Sequence, residues 1–185
     1  MRLLPETGLM LLLIASITTT INWGCYGQSR FIQFDTQGKG TRVCEGKAFG
    51  VIAIIAPDLE TINAEWVYDP ANFSKANKEV ALVNTSTPGE KKLQFRLTLN
   101  NHEKYDTSLS VRVLPNPKVE LKFTRGKLSV TYDRGENATV SWFVDGTPIP
   151  GANDKILKNP TKGVYQVLVT DNNGCKGRSQ RVTIE

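Results

Sequence analysis

From residue 28 onward the apolar residues recur at every second position in short runs. No segment carries an i, i+3, i+4, i+7 stripe over three turns. A period of two sends successive side chains to opposite faces of an extended backbone, so the chain is committed to strands rather than helices. The clearest case is 92–99. Leu93, Phe95, Leu97 and Leu99 face one way; Lys92, Gln94, Arg96 and Thr98 face the other. That is a half-buried strand with one solvated face. The stretch 164–170 does the same, with Tyr165, Val167 and Val169 opposed to Val164, Gln166, Leu168 and Thr170. The run 50–56 is almost continuously apolar, as for a strand covered on both sides.

Turn signals separate these runs and predict strands at 31–34, 50–56, 62–68, 79–83, 92–99 and 108–114. A second set falls at 118–123, 127–132, 138–144, 154–157, 164–170 and 178–184. Asp145-Gly146 and Asn173-Gly174 tolerate positive φ, and each reads as a tight hairpin. Leu114-Pro115-Asn116-Pro117-Lys118 ends one set and stiffens the join to the next. About six strands and one tryptophan stand on either side, Trp66 before and Trp142 after. The fold class is therefore all-β, two small antiparallel sandwiches in tandem at 28–115 and 116–185. One larger sandwich is the alternative.

The first residues have another character. Arg2 precedes an apolar run at 9–17 that is too short for a ~30 Å hydrocarbon core. It fits the core of an export signal better than a buried helix. Cleavage after Gly27, with Cys25 at the −3 position, leaves a chain starting at Gln28; acylation of Cys25 is the other outcome. No second stretch approaches membrane-spanning length, so the reading is an exported protein of the periplasm, outer-membrane surface or extracellular space, with no transmembrane segment.

A hydrophobic share of 39% is adequate for packed cores and argues against a disordered chain. The formal charge of +5 is uneven: residues 28–115 carry 11 Lys and Arg against 10 Asp and Glu, and residues 116–185 carry 11 against 7. Lys118, Lys122, Arg125, Lys127, Lys176, Arg178 and Arg181 form a candidate face for an anionic ligand. Solvated strand faces and edge lysines that discourage aggregation are the competing reading. Aromatic interleaving for nucleic acid is missing.

Catalytic chemistry has little to work with. The single histidine, His102, sits in a polar loop, and the three cysteines are scattered, which counts against zinc, Ser-His and Cys-His chemistry. The acidic pairs Asp58/Glu60 and Asp133/Glu136 have no burial pattern that would split their pKa values for acid–base work. The oxygen-rich Asp171-Asn172-Asn173-Gly174 lacks the downstream carboxylate of a calcium loop and reads as a turn. No metal or other cofactor is expected. Asn72, Asn84 and Asn137 head N-glycosylation sequons.

The C-terminal half carries a resemblance. Trp142, Gly146, Ile149, Pro150, Gly151 and Ala152 are followed by Gly163, Tyr165, Val167, Val169, Thr170, Asp171, Gly174 and Cys175. In order and spacing these residues resemble the immunoglobulin-like and PKD-like modules of Bacteroidetes-type secreted and cell-surface proteins. The first half is more loosely similar, through Val43-Cys44-Glu45-Gly46 and Trp66. The resemblance implies core roles for Trp66, Trp142 and Tyr165, the last with its hydroxyl on a backbone carbonyl. The closing cysteine of the first module and the opening cysteine of the second are missing, so the family's intradomain bridge has no partners here. An end-to-end arrangement of sandwiches would keep Cys44 and Cys175 ~25 Å or more apart, given strands of ~8 residues. Both thiols are therefore expected to be unpaired or bonded to a partner chain. If the resemblance holds for a bacterial protein, the sequons are chance matches.

Together these readings predict an exported, non-enzymatic binding or structural module of the bacterial cell surface or envelope. Its partner would be a surface or envelope protein, or a glycan. An accessory subunit of an envelope machine, such as a secretion or gliding apparatus or an outer-membrane transporter, is the alternative. The chain's ending on its last strand, with no repeats or sorting domain after it, favours that alternative.

Overall fold

The computed structural model describes residues 31–57 and 59–185. The expected export signal, its candidate processing positions Cys25 and Gly27, and Asp58 lie outside the described residues. The described chain is all strand and turn. It runs β1 (Ile32–Asp35), β2 (Arg42–Cys44), β3 (Gly50–Ile55), β4 (Thr61–Val67), β5 (Phe73–Ala76), β6 (Val80–Val83), β7 (Gly89–Leu99) and β8 (Lys104–Leu114). It continues through β9 (Val119–Thr124), β10 (Lys127–Tyr132), β11 (Thr139–Val144), β12 (Thr147–Pro148), β13 (Ile156–Lys158), β14 (Gly163–Thr170), β15 (Lys176–Arg178) and β16 (Val182–Ile184).

These strands make two β-sandwiches in tandem. In the first, the sheet β1-β3-β6-β5 faces the sheet β2-β8-β7-β4. In the second, β13-β10-β9 faces β12-β11-β14-β15, with β16 also on β14. The buried apolar residues fall into two clusters that share no member, one from Ile32 to Val113 and one from Val119 to Val169. The alternation in β7 drives the first: Leu93, Phe95 and Leu97 are fully buried while Lys92 and Gln94 are exposed. The same alternation puts Lys91 on the core side. Its ammonium donates to the Ala71 carbonyl and to Thr87 Oγ1, both at 3.0 Å, as a buried charge requires.

Three local readings are corrected. The apolar strand β3 is covered on one face, not two. Val51 and Ala53 point into the core, but Ile54 is 43% exposed on the outer side. Asn173-Gly174 is not a two-residue hairpin. Thr170 pairs with Lys176, leaving residues 171–175 as the connection, and only Gly174 has positive φ. Asp171 organises it, its Oδ1 accepting the N–H groups of Asn173 and Cys175. The expected strand 178–184 is broken in two. The hydroxyl of buried Ser179 accepts the N–H of Val167 in place of a strand carbonyl. Gln180 turns aside to donate to the Leu121 carbonyl of the facing sheet. Asp145-Gly146 does close a two-residue hairpin, with φ of 51° and 81° and Val144 opposite Thr147.

Candidate functional site

The largest departure from expectation lies where the sandwiches meet. Cys44 and Cys175 form a disulfide, with Cα atoms 5.3 Å apart. The expectation of two separate thiols is overturned by one short strand. β2 runs parallel to β8, pairing Cys44 with Leu114. Because β8 leads straight into the linker, a parallel neighbour also ends at the linker. Cys44 is thus at the near end of the first sandwich, not the far end. Cys175 lies at the linker end of the second, fully buried.

Other contacts close the same junction. On the first sandwich's side the Glu45 N–H extends the β2–β8 pairing by donating to the Leu114 carbonyl at 2.8 Å. Asn116 donates through its side chain to the Glu45 carbonyl at 3.1 Å. The linker lies directly on β15: a Cβ at Gly177 would stand 1.9 Å from the Pro117 carbonyl oxygen. Only glycine lets the backbone approach so closely.

The core residues are placed as follows. Trp66 is 6% exposed, in a ring cluster with Phe34, Phe73 and Phe95 at centroid distances of 5.0–5.9 Å. Trp142 is 1% exposed, and its Nε1 donates to the Asp154 carbonyl at 2.8 Å. Tyr165 is buried in the same cluster, and its hydroxyl donates to the Thr161 carbonyl four residues upstream at 2.9 Å. This is the geometry of a tyrosine corner.

The seven basic residues proposed as one face do not share one. Lys122 and Lys127 lie on the outside of the three-stranded sheet, Lys118 leads into it, and Arg125 is in its β9–β10 turn. Lys122 faces Glu120 at 3.5 Å on open surface, a contact of little energetic weight. Lys176 and Arg178 belong to β15 of the opposite sheet, and Arg181 to the break between β15 and β16. Outward faces of a sandwich point away from each other, so one ligand cannot span both sets.

Arg178 and Arg181 of the second set line a groove. Since Trp142, Tyr165, Val167 and Gly177 point inward, Phe143, Val164, Gln166, Leu168, Lys176 and Arg178 point outward. Phe143 stands opposite Gln166, and Leu168 opposite Arg178. The Arg178 guanidinium sits 5.5 Å from the centre of the Phe143 ring and donates to Gln166 Oε1 at 3.3 Å. A planar guanidinium over a ring is oriented before any ligand arrives. The groove, about 450 Å³, is also lined by Arg181, Asp145 and Gly146. A second groove of about 440 Å³ adjoins it over the domain junction, lined by Glu45, Lys47, Asn116, Leu168, Lys176 and Arg178. Phe143 and Lys47 were not singled out from the sequence, because neither stands in a motif.

The remaining candidates have structural occupations. Asp133 Oδ1 accepts the Lys118 N–H at 2.8 Å, and that bond, with Arg134 beside it, holds the carboxyl below its ordinary range. Glu60 accepts from Asn100, and exposed His102 sits in the β7–β8 turn with φ of 68°. Among the described residues no group of His, Cys, Asp and Glu is arranged to hold a metal ion, and no helix is long and apolar enough to cross a membrane.

The sequence matches no family model, and no curated protein is significantly similar to it. Among solved structures it is similar to the fibronectin(III)-like modules of Clostridium thermocellum CbhA. The identity is 16%, over 83% of this chain and 94% of that one, with a TM-score of 0.38. It is similar to the insect immune protein hemolin at 16% identity, over 88% and 47% of the two chains, with a TM-score of 0.41. SGBP-B of the Bacteroides ovatus mixed-linkage glucan utilization locus is 14% identical over 78% and 42% of the two chains, with a TM-score of 0.30. Likenesses this distant say nothing of what the chain binds, and the assignment as an all-β tandem of sandwiches rests on its own strand order and cores.

Proposed function

We propose that the protein is an exported, non-enzymatic binding module that recognises a surface or envelope protein, or a glycan, by contact. The observation that carries this reading is the junction. A disulfide, the hydrogen bond from Asn116 of the linker to the Glu45 carbonyl and the seat of Pro117 on Gly177 hold the sandwiches as one body. Inter-domain motion is the default for two small domains on a short linker. A chain that suppresses it holds a face at fixed position and orientation, which suits presentation and recognition. The face it holds is the outer side of β11, β14 and β15, where an oriented arginine lies in a groove.

A disulfide between sandwiches also supports an oxidising compartment, in agreement with the export signal read in residues 1–27. The test is capture from the envelope fraction of the source cells on immobilised oxidised protein. Arg178→Gln/Arg181→Gln serves as the control, with quantitative mass spectrometry and glycan analysis as the readouts. The reading expects an envelope protein or glycan retained by the native chain and depleted on the variant. Equal recovery on both would remove the groove from the account, and recovery of nothing would remove the binding role.

A further inference from the structure

The two grooves share Arg178 and run on from one another, from Lys47 in the first sandwich across the junction to Arg181 in the second. Along this track the lining alternates in chemistry. Phe143, Val164 and Leu168 are half-buried on the outer face of a sheet, where polar side chains are the rule. Between and beside them stand Lys176, Arg178 and Arg181, and among the described residues none of the three pairs with a carboxylate. Two acids also line the track: Asp145 Oδ1 accepts the Val164 N–H and Glu45 Oε2 faces the Asn116 N–H, which ties each carboxylate down without cancelling its charge.

A complementary ligand must offer carboxylates to the cations and apolar groups to the aliphatics Val164 and Leu168. An acidic glycan supplies the first without the second. Its sugar faces would need an open aromatic ring, and the Arg178 guanidinium already lies over Phe143. A peptide supplies both, because acidic and aliphatic side chains can follow one another along one chain. Arginine and aromatic side chains are also enriched where binding energy concentrates at protein interfaces.

Resting on the reading of the chain as a binding module, we propose that this track holds an extended segment of a partner protein in which Asp or Glu alternates with aliphatic or aromatic residues. The track crosses both sandwiches, so its continuity depends on the Cys44–Cys175 bond. Affinity for the segment is therefore coupled to that bond.

The experiment is selection of a displayed random decapeptide library on the immobilised, oxidised full chain, in parallel with a polygalacturonate binding assay. Selected peptides are then synthesised and measured by fluorescence anisotropy. The proposal expects enriched sequences that mix acidic and apolar residues. Affinity should fall about tenfold or more in Arg178→Gln/Arg181→Gln, as loss of interfacial charge contacts does, and should weaken with added salt. It also expects weaker binding to Cys44→Ser/Cys175→Ser, whose fold is checked by near-UV circular dichroism. Enrichment of basic or purely apolar peptides overturns the proposal, as does affinity indifferent to the two arginines. Polygalacturonate bound through the same arginines, with no peptide enriched, overturns the peptide assignment and leaves the binding-module reading standing. Failure to enrich any peptide or bind polygalacturonate overturns the track as a site, while envelope capture tests the module reading separately.

Discussion

Replacing both junction cysteines by serine should do more than lower stability; it should change how the molecule unfolds. If the second sandwich alone unfolds, Cys44 remains beside Leu114 on the intact first sandwich. The loop closed by the disulfide is then Leu114 to Cys175, roughly 60 residues, and closing it stabilises the second sandwich by about 4 kcal/mol in chain-entropy terms. If the first sandwich alone unfolds, Cys175 stays close to Gly177, which lies against Pro117. The loop from Cys44 to Pro117 is roughly 70 residues, and the contribution is again about 4 kcal/mol. With both unfolded, the full separation of 131 residues applies, yet the logarithmic dependence raises the total only to about 5 kcal/mol. The bond thus penalises each half-unfolded state almost as much as the fully unfolded one. The oxidised protein should melt in one transition, and the double serine variant in two, each lowered by an amount comparable with the whole stability of a small domain. Differential scanning calorimetry and urea titration followed by tryptophan fluorescence read both effects, since each sandwich holds one buried tryptophan. A loss under about 1 kcal/mol, or two separate transitions in the oxidised chain, would refute this reasoning.

Gly177→Ala should cost about 2–3 kcal/mol, the upper part of the ~1–3 kcal/mol range for forced overpacking, because its Cβ meets backbone at Pro117. Gly50→Ala, whose Cβ finds only ordinary contact at 3.5 Å, should move the urea midpoint little. Trp142→Ala should cost ~3–5 kcal/mol and remove hydrogen-exchange protection mainly from residues 119–184. Protection lost equally in the first sandwich would contradict the separation of the two cores. Tyr165→Phe should cost about 1 kcal/mol for the bond to Thr161, by urea titration. The depressed carboxyl of Asp133 contributes stability above the unfolded aspartate value of about 3.9, and that contribution is lost as pH falls through its lower folded value. Asp133→Asn should therefore flatten part of the acid limb below about pH 4 in a pH-dependent urea series.

How much of this was legible in the sequence follows from what each residue's neighbours could reveal. The alternation in β7 and β14 was legible because eight or more residues keep one register against a core. β2 was not: three residues with Val43 as the only aliphatic cannot display a period. Yet its parallel pairing with β8 decides where Cys44 lies, so the disulfide was misjudged through one unseen strand. β5, with its register shift, and β12, ending in Pro148, are short edge strands with the same difficulty. The break at Ser179 was hidden because a hydroxyl replacing a strand carbonyl leaves no pattern in the sequence. At the candidate site the cations were visible as residue types, but which sheet carried them was not. Phe143 gained its role only when the hairpin at Asp145-Gly146 and the pairing with β14 placed it beneath Arg178.

The central claim is that one covalent bond joins the two sandwiches beside the linker, and non-reducing peptide mapping of monomer purified from its native compartment tests it most directly. With free thiols blocked before trypsin digestion, the account predicts residues 43–47 linked through Cys44 to residues 163–176 through Cys175, recovered from monomer. Recovery of both peptides carrying the blocking group, or linked only in a covalent dimer, would contradict it.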